Sequence, residues 1–466
     1  MEGELDRKHM KLMLGVILLA TLMDGLDGSI VTVALPDIGI GFGVDTATVS
    51  WVSIVYMMTL ACTLILFARI ASAHGIRRIM VTGLALFTVS SLACVLATEY
   101  WVLIAARIVQ GLGAAMMGAA GPMCCVEFLP PRKLAFGLAI ITIGSSVGFA
   151  IGPGIGGLLV EYLSWHWIFL INIPIGLTVI PLALKALPKH VHKDVPPLDR
   201  LGAMLLAAGI AVGILSAETA SYTAMRAVSL VAAAICLCSL AAFVWRELWC
   251  NHPLLNVRLF RHADFSAIFL CLMLVNMAYM GIWYLVPFFG EKQLGLSSAE
   301  VGMFLLISAV ITAVFGMPVA RASDRYGRRW FCVAAGLTAG ASFALFAAFG
   351  GSMGLALLTL TIVLMGIGWA FVGGPMASRL VEHAERGERD MASSLINEAY
   401  YIGGSLGTAV IAALFTLTAH AEGINISDVS AAVFMNGFVP CCWIAVALCM
   451  IIVLLSAAVH DRQTAE

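Results

Sequence analysis

The amino-acid sequence predicts an all-α polytopic membrane protein with 14 transmembrane helices arranged 6+2+6, and three observations lead there. The chain is 61% hydrophobic and only 11% charged, against about 25% charged in soluble domains, and its mean hydropathy is +1.00. Apolar runs long enough to cross a bilayer recur from end to end, separated by short loops that carry charge, Gly or Pro. Related motifs then reappear at similar offsets in the two ends of the chain.

Charged, Gly- or Pro-bearing loops mark off the spans in order. The first, 11–36, follows Arg7, Lys8 and Lys11 and stops at Pro36; it is too long for a signal-peptide core and lacks a small-residue cleavage site, so it is expected to stay in the mature protein. Span 47–68 ends at Arg69, and 79–98 begins after Gly75, Arg77 and Arg78. Span 101–126 ends before Pro130, Pro131, Arg132 and Lys133, which lead into 135–160. Span 165–187 closes on Lys185 and a linker bearing Lys189 and Lys193, and spans 200–217 and 225–245 lie between Arg200 and Arg246. After the polar stretch 246–262 come 264–289, 299–320 ending at Arg321, and 330–350 opening after Arg328 and Arg329. The last three are 354–378 ending at Arg379, 392–418 opening after Arg389, and 431–457 ending before Arg462.

Of the 26 Lys and Arg, Arg107 falls inside a span, Arg226 and Lys292 fall on outer loops, and the rest share one side. The positive-inside bias makes that side cytoplasmic and puts both termini there, in a multi-pass plasma-membrane protein. One span missed or invented would scatter the pattern. Nearly all of the 12 cysteines lie within spans, where they read as small apolar packing residues and not as a disulfide framework. His190 and His192 lack a Cys or carboxylate in ligand spacing and read as solvated linker, with no metal site.

Internal repetition divides the chain. Ile143–Ala150 reads against Ile402–Ala409 at an offset of 259, and His74-Gly75-Ile76-Arg77 against Tyr326-Gly327-Arg328-Arg329 at 252. Gly111-Leu112-Gly113 with Gly121-Pro122-Met123 likewise matches Gly366-Ile367-Gly368 with Gly374-Pro375-Met376. These offsets pair the second span with the tenth, the fourth with the twelfth and the fifth with the thirteenth. Six spans per half with two between give that shift: an N-terminal half 1–187, a two-helix insert with its linkers 188–262, and a C-terminal half 263–466.

Asp24 and Asp27 stand in the middle of the first span, where a carboxylate costs about 2.5–3.5 kcal/mol even on a lenient insertion scale, so such acids face a partner or a watered cavity and serve transport. Arg107 needs an acidic neighbour for the same reason. At 1.5 Å per residue, Arg107 lies roughly 9 Å and Asp27 roughly 13 Å below the outer surface, within reach of an Arg side chain, so Asp27 or Asp24 is expected to pair with it. A static ion pair is one reading; the other is a switch, because two acids facing one base leave one proton to be placed, and the titration then belongs to the group. Gly144, Gly148, Gly152 and Gly156 make a stripe free of side chains for close helix approach, and Pro153 within it adds a bend.

Four stretches together resemble the major facilitator superfamily, specifically its fourteen-span drug/proton antiporter branch of multidrug efflux transporters, over nearly the whole chain. They are Leu26-Asp27-Gly28-Ser29-Ile30-Val31 through Pro36; Arg107-Ile108-Val109-Gln110-Gly111-Leu112-Gly113; Gly148 through Gly152-Pro153 to Gly156-Gly157; and Leu163–Phe169 with Asn172-Ile173-Pro174-Ile175-Gly176. The resemblance implies a major facilitator fold and export by alternating access. It makes Asp27, Asp24 and Arg107 the proton-coupling group and Gly148, Gly152, Pro153, Gly156 and Gly157 a flexing element. Asp27 matches the family position; Asp24 does not, and is the candidate acid for a cationic substrate. Ala412 stands where a second proline would mirror Pro153, as in the family. The loop Ala320–Arg329 copies the superfamily's short signature, with Asp324, Arg325, Gly327 and Arg328 as a conformational latch, whereas Ser72 and Ala73 replace Asp324 and Arg325 in the first half.

The expected substrate cavity draws on Asp24, Gln110, Tyr56, Asn276, Tyr279, Trp283, Trp369, Glu398 and Tyr401, with aromatic rings suited to flat lipophilic cations. Glu398 stands where the family often has a neutral or basic residue, and either snorkels to the interface or takes part in transport. The expected partners are a small-molecule substrate, the lipid bilayer and protons, for a monomer with no cofactor beyond a proton gradient; sodium coupling stays open. Export of a specific metabolite or lipid-like compound is the alternative. A membrane-embedded enzyme finds no support, since no nucleophile-base set, His-Glu-x-x-His helix or phosphate loop is present, and neither is a basic nucleic-acid patch.

Overall fold

The computed structural model describes residues 7–44, 46–188, 199–220, 226–250, 253–385, 388–419 and 429–460. His190, His192, Lys189 and Lys193 lie outside the described residues. Within them the chain is helical, with no strand: α1 (Arg7–Phe42), α2 (Thr46–His74), α3 (Ile76–Val95), α4 (Tyr100–Phe128), α5 (Leu134–Tyr162), α6 (Trp167–Leu170), α7 (Asn172–Ala186), α8 (Arg200–Ala220), α9 (Arg226–Trp249), α10 (Ala263–Leu294), α11 (Ser298–Tyr326), α12 (Arg329–Phe349), α13 (Leu355–Phe371), α14 (Ala377–His383), α15 (Arg389–Thr418) and α16 (Ala431–Ala458). With α6–α7 and α13–α14 each forming one rod, 13 segments among the described residues are long and apolar enough to span a bilayer. α8, apolar over Arg200–Ser216, is the fourteenth rod. This is a multi-pass, all-helical membrane protein.

Two spans differ from expectation. α1 runs through Pro36 to Phe42, because a proline removes only its own N–H and the helix can resume beyond it. The span 354–378 is interrupted by a π-turn at Val372–Met376, where Pro375 cannot donate to the carbonyl one turn back and the backbone widens instead.

Glycines set the closest helix contacts. A Cβ at Gly144 would meet Thr21 and the Leu18 carbonyl, at Gly148 the backbone of Leu22 and Leu26, at Gly152 Ser29 and at Gly156 Ile30. The stripe therefore packs α5 flat on α1. Gly403 and Gly407 do the same for α15 on Met273 and Met277 of α10. A Cβ at Gly111 would stand 2.7 Å from the Tyr56 carbonyl oxygen, and one at Gly366 would stand 2.6 Å from that of Ser308. Gly75 (φ 100°) and Gly327 (φ 91°) occupy matching turns in a region open mainly to glycine. The sequence repeat thus reappears as matched helix approaches.

α8 and α9 pack on each other, and α8 also touches α2 and α15. Cys62 on α2 donates its thiol to the Ala207 carbonyl of α8 at 3.2 Å. α9 leaves Leu230, Val231, Leu237, Trp245 and Trp249 exposed, the apolar surface that lipid requires. All 12 cysteines are free thiols.

Candidate functional site

Five helices converge on Asp27, which is fully buried. Arg107 Nη1 donates to Asp27 Oδ2 at 2.6 Å, and Gln110 Nε2 and Asn172 Nδ2 donate to Oδ1 at 2.9 and 2.8 Å. Arg107 places two more bonds nearby, Nε to the Val52 carbonyl at 2.9 Å and Nη1 to Gln110 Oε1 at 2.7 Å. Ser91 accepts from Gln110 Nε2 at 2.9 Å. Burial makes these bonds mutually dependent: with Arg107 only 1% exposed, no water can replace a lost partner.

Asp24 sits one helical turn nearer the start of α1, and three residues turn its side chain about 60° from that of Asp27. It accepts from Tyr56 Oη at 2.6 Å and from Tyr401 Oη at 3.1 Å, and it lines a cavity of about 580 Å³ between α1–α5 on one side and α10–α15 on the other. Thr21, Ser53, Ser145, Asn276 and Asn397 are among the other polar residues lining it, and Met57, Met117, Phe149, Met280, Trp369 and Tyr400 are among those forming apolar and aromatic wall. Tyr56 joins the two acids, since its ring lies 4.2 Å from the Arg107 guanidinium carbon.

The residues expected around the cavity divide into three groups. Asp24, Asn276, Trp369 and Tyr401 line it. Tyr279 and Trp283 border a smaller side pocket with Trp369 and Tyr400, where Tyr279 donates to the Met365 carbonyl at 3.0 Å and its ring lies tilted against Trp369 with centroids 4.7 Å apart. Gln110, Tyr56 and Glu398 stand off the wall: the Gln110 amide is consumed by Asp27, Arg107 and Ser91, Tyr56 is buried behind Asp24, and Glu398 is buried with neither carboxylate oxygen bonded. Glu398 does not snorkel, because a residue 2% exposed has not reached an interface.

At the end of the bundle bearing the basic loops, Asp324 accepts from the backbone N–H groups of Ala135 and Phe136 at 3.3 Å each, on the N-terminus of α5, where helix dipole and free donors favour an anion. Arg328 donates to Asp324 at 2.6 Å and also pairs with Glu382. Arg325 is exposed and lies over the Tyr326 ring. Ser72, in the matching place of the first half, spends its hydroxyl on the Ala68 carbonyl of its own helix, so no second latch forms from it. Asn397 Nδ2 donating to the Gly118 carbonyl at 2.6 Å and Trp369 Nε1 donating to Ser146 Oγ at 2.9 Å also tie α1–α7 to α10–α16. Together with Tyr401–Asp24 these ties run from the basic end to mid-depth. Pro153 leaves α5 continuous, and Gly157 stands clear of α1, with Val33 4.0 Å away.

Sequence reasoning left Asn172 and Ser91 without a role. Asn172 had a signal, as a polar residue in one of the quoted motifs; Ser91 had none beyond being polar within a span.

A bilayer-spanning helical bundle enclosing a central cavity with a carboxylate in its wall, and a charge pair buried beside it, defines a solute transporter and not an enzyme. The chain belongs to the Major Facilitator Superfamily, whose family model matches residues 17–408. It is 29% identical over 410 residues to the multidrug resistance protein B homolog of Mycobacterium tuberculosis, covering 86% of this chain and 75% of that one. It is 26% identical over 460 residues to the putative multidrug resistance protein MdtD of Yersinia enterocolitica (97% and 95%), and 32% identical over 398 residues to the cephamycin export protein CmcT of Amycolatopsis lactamdurans (83% and 81%). The human organic anion transporter MFSD10 (TETRAN) shares the fold, with a TM-score of 0.70 over 96% of this chain and 99% of that one, at 15% identity.

Proposed function

We propose that this protein is a proton-coupled antiporter that exports amphipathic, cationic drugs or dyes across the plasma membrane by alternating access. In this reading both termini and the basic loops are cytoplasmic. The chain acts as a monomer with no cofactor beyond the proton gradient, and residues 1–187 and 263–466 rock about the cavity with the pair in 188–262 inserted between them. The observation that carries it is the separation of the two acids of α1. Asp24 faces the cavity with two phenol hydroxyls as donors and no basic side chain of the described residues paired to it, so a cation or a proton can answer its charge. Asp27 is locked to Arg107 behind it.

Protonating Asp27 removes the charge that holds Arg107, and the guanidinium then keeps the Val52 carbonyl, Gln110 and the face of the Tyr56 ring. The ties among α1, α2, α4 and α7 change, and the glycine contact carries the change from α1 into α5, where Pro153 leaves a backbone carbonyl without its helical donor. α5 is the helix that Asp324 latches, so a shift there reaches the contact at the basic end. The names of the multidrug resistance relatives support the substrate class.

The test is transport of a cationic dye driven by a pH gradient in proteoliposomes, comparing wild type with Asp27→Asn and Asp24→Asn. Loss of coupling is expected in Asp27→Asn and loss of dye affinity in Asp24→Asn; unchanged coupling in both overturns the mechanism, and a sodium gradient in place of the pH gradient tests the ion. A second reading, export of one specific metabolite, is favoured by the relative named for cephamycin export. A narrow profile across a panel of compounds selects it.

A further inference from the structure

Glu398 is a buried acid that the Asp24 and Asp27 groups do not use. It stands about 13 Å into α15 from the basic end at 1.5 Å per residue, and it is 2% exposed with both carboxylate oxygens unbonded. Around it three helices meet. α2, α8 and α15 touch one another pairwise, and their buried apolar residues, Ala61, Ile65, Leu206, Ile210, Leu395 and Ala399 among them, belong to one core cluster. The titratable groups within electrostatic reach are Cys62 on α2 and Tyr401 on its own helix. α8 offers only backbone and apolar side chains at this point, α4 meets α15 through the Gly118 carbonyl and α10 through the Met273 and Met277 backbone. No basic side chain of the described residues pairs with Glu398.

The matching position on α5, at the repeat offset of 259, is Ala139, which packs with Ala135 and Ala320 where α5 meets α11. One seam is closed directly by small apolar residues, whereas the α2–α15 seam is covered by α8 and holds an acid. An ionised carboxylate placed there would have no donor and no counter-charge among the described residues and almost no exposed surface, a cost of several kcal/mol. Asp27, by contrast, has a cation and two amide donors. The closed seam therefore accommodates Glu398 as the neutral acid. Opening the basic end separates α15 from α2, admits water and removes the penalty on the anion.

The geometry points to Glu398 as a proton-binding site outside the cavity, filled when the α2–α15 seam is closed and emptied toward the basic end when it opens. The site rests on the alternating-access part of the proposed function, and it makes closure of the basic end depend on pH on that side. The sign follows from the protonated form belonging to the closed state: low pH holds the seam shut and high pH favours opening.

The experiment reads conformation, not transport. Genetically encoded fluorescent donor and acceptor side chains at His74 and Tyr326, both exposed at the basic end, report the opening of the full-length protein in nanodiscs as pH is varied. Wild type is expected to open with rising pH along a one-proton step, Glu398→Gln to keep the low-pH distance throughout, and Glu398→Asp to restore the step. A wild-type step that survives in Glu398→Gln assigns the proton to another acid and overturns the proposal, as does the absence of any step. Should Glu398→Gln fail to fold, dicyclohexylcarbodiimide, which adds to protonated carboxyls in apolar surroundings, keeps the question open to wild type alone. Mass spectrometry is expected to find Glu398 modified at low pH and progressively less as pH rises, and no modification at any pH overturns the site. Wild type that shows this step but no dye transport driven by a pH gradient removes the antiport reading and leaves the Glu398 site standing.

Discussion

Asp24 receives a 2.6 Å hydrogen bond from Tyr56, whose ring also lies against the guanidinium that neutralises Asp27. One side chain of α2 thus touches both acid groups of α1, the one in the cavity wall and the one sealed behind it. A ligand that pulls Asp24 away from Tyr56 disturbs the ring on which Arg107 rests. This gives a physical route between cavity occupancy and the buried pair without direct contact between the two carboxylates.

The two acids are expected to fail differently. Asp27→Asn leaves Arg107 buried without a counter-charge, a loss of about 3–5 kcal/mol, so both thermal stability and transport should fall sharply. Asp24→Asn keeps a polar group against Tyr56 and Tyr401 and should leave the fold intact. It should weaken cationic ligands by about tenfold or more, the worth of a charge-assisted bond of about 1.5–3 kcal/mol, while neutral ligands of similar shape bind as before. Thermal unfolding and ligand binding on the same purified samples check both; equal stability losses in the two variants would contradict the separation.

Asp324→Asn removes the anion from the N-terminus of α5 and the ion pair with Arg328. A favourable helix-end charge contributes about 0.3–1 kcal/mol when exposed and about 2 when partly buried, so the closed basic end should lose about 1–2 kcal/mol. The expected result is faster limited proteolysis of the loop between α11 and α12, with ligand affinity in the cavity unchanged. Ser72→Asp is the complementary variant, since it restores the missing acid of the first-half loop.

The spans, an acid of α1 paired with Arg107 and the glycine contact were legible in the sequence because each leaves a one-dimensional trace: an apolar run, a charge where charge is expensive, a four-residue period; that the acid is Asp27 and not Asp24 was not. What was not legible needs the third dimension. Gln110 lies three residues from Arg107, on the same helix face, and only the placement of Asp27, Asn172 and Ser91 shows that its amide is used up there. Tyr401 reaches Asp24 from a helix 377 residues away. Glu398 shares a face with Tyr401 by spacing, yet that α8 covers it could not be read from a span that carries no partner for it. The π-turn at Val372–Met376 hides within a run whose hydropathy is uninterrupted.

Asp199, just before α8, gives a test by pH outside the membrane. Burial pushes its carboxyl up, but the paired bonds from Arg246, at 2.9 and 3.0 Å, together with the Gly202 N–H and the Cys250 thiol outweigh that and hold it below the ordinary value of 3.8. A carboxyl lowered on folding stabilises the fold above its unfolded value and loses that contribution as pH falls through the lower folded one. With Arg246 36% exposed, solvent screening keeps the contribution of the pair small. Asp199→Asn should therefore melt slightly below wild type at neutral pH, and the two curves should converge in acid below the ordinary carboxylate range. A difference independent of pH would assign the effect to packing.

The glycine contact predicts the sharpest contrast within one helix. At Gly148 an added Cβ meets the main chain of Leu22 and Leu26, atoms that cannot rotate away, so Gly148→Ala must push α1 and α5 apart along their length. Overpacking of this kind costs about 1–3 kcal/mol, and here it also moves Asp24 and Asp27, which ride on α1. Gly157→Ala, nine residues on, brings its Cβ only to ordinary van der Waals contact with Val33 at 4.0 Å and has nothing to displace, and alanine is favoured over glycine within a helix by about 1 kcal/mol. Gly148→Ala is therefore expected to lower the unfolding temperature and abolish dye transport, and Gly157→Ala to match or exceed wild type in stability with transport retained. If both variants transport alike, α1 and α5 have slack at their contact, and the path proposed from Asp27 through α5 to the Asp324 latch loses its first link.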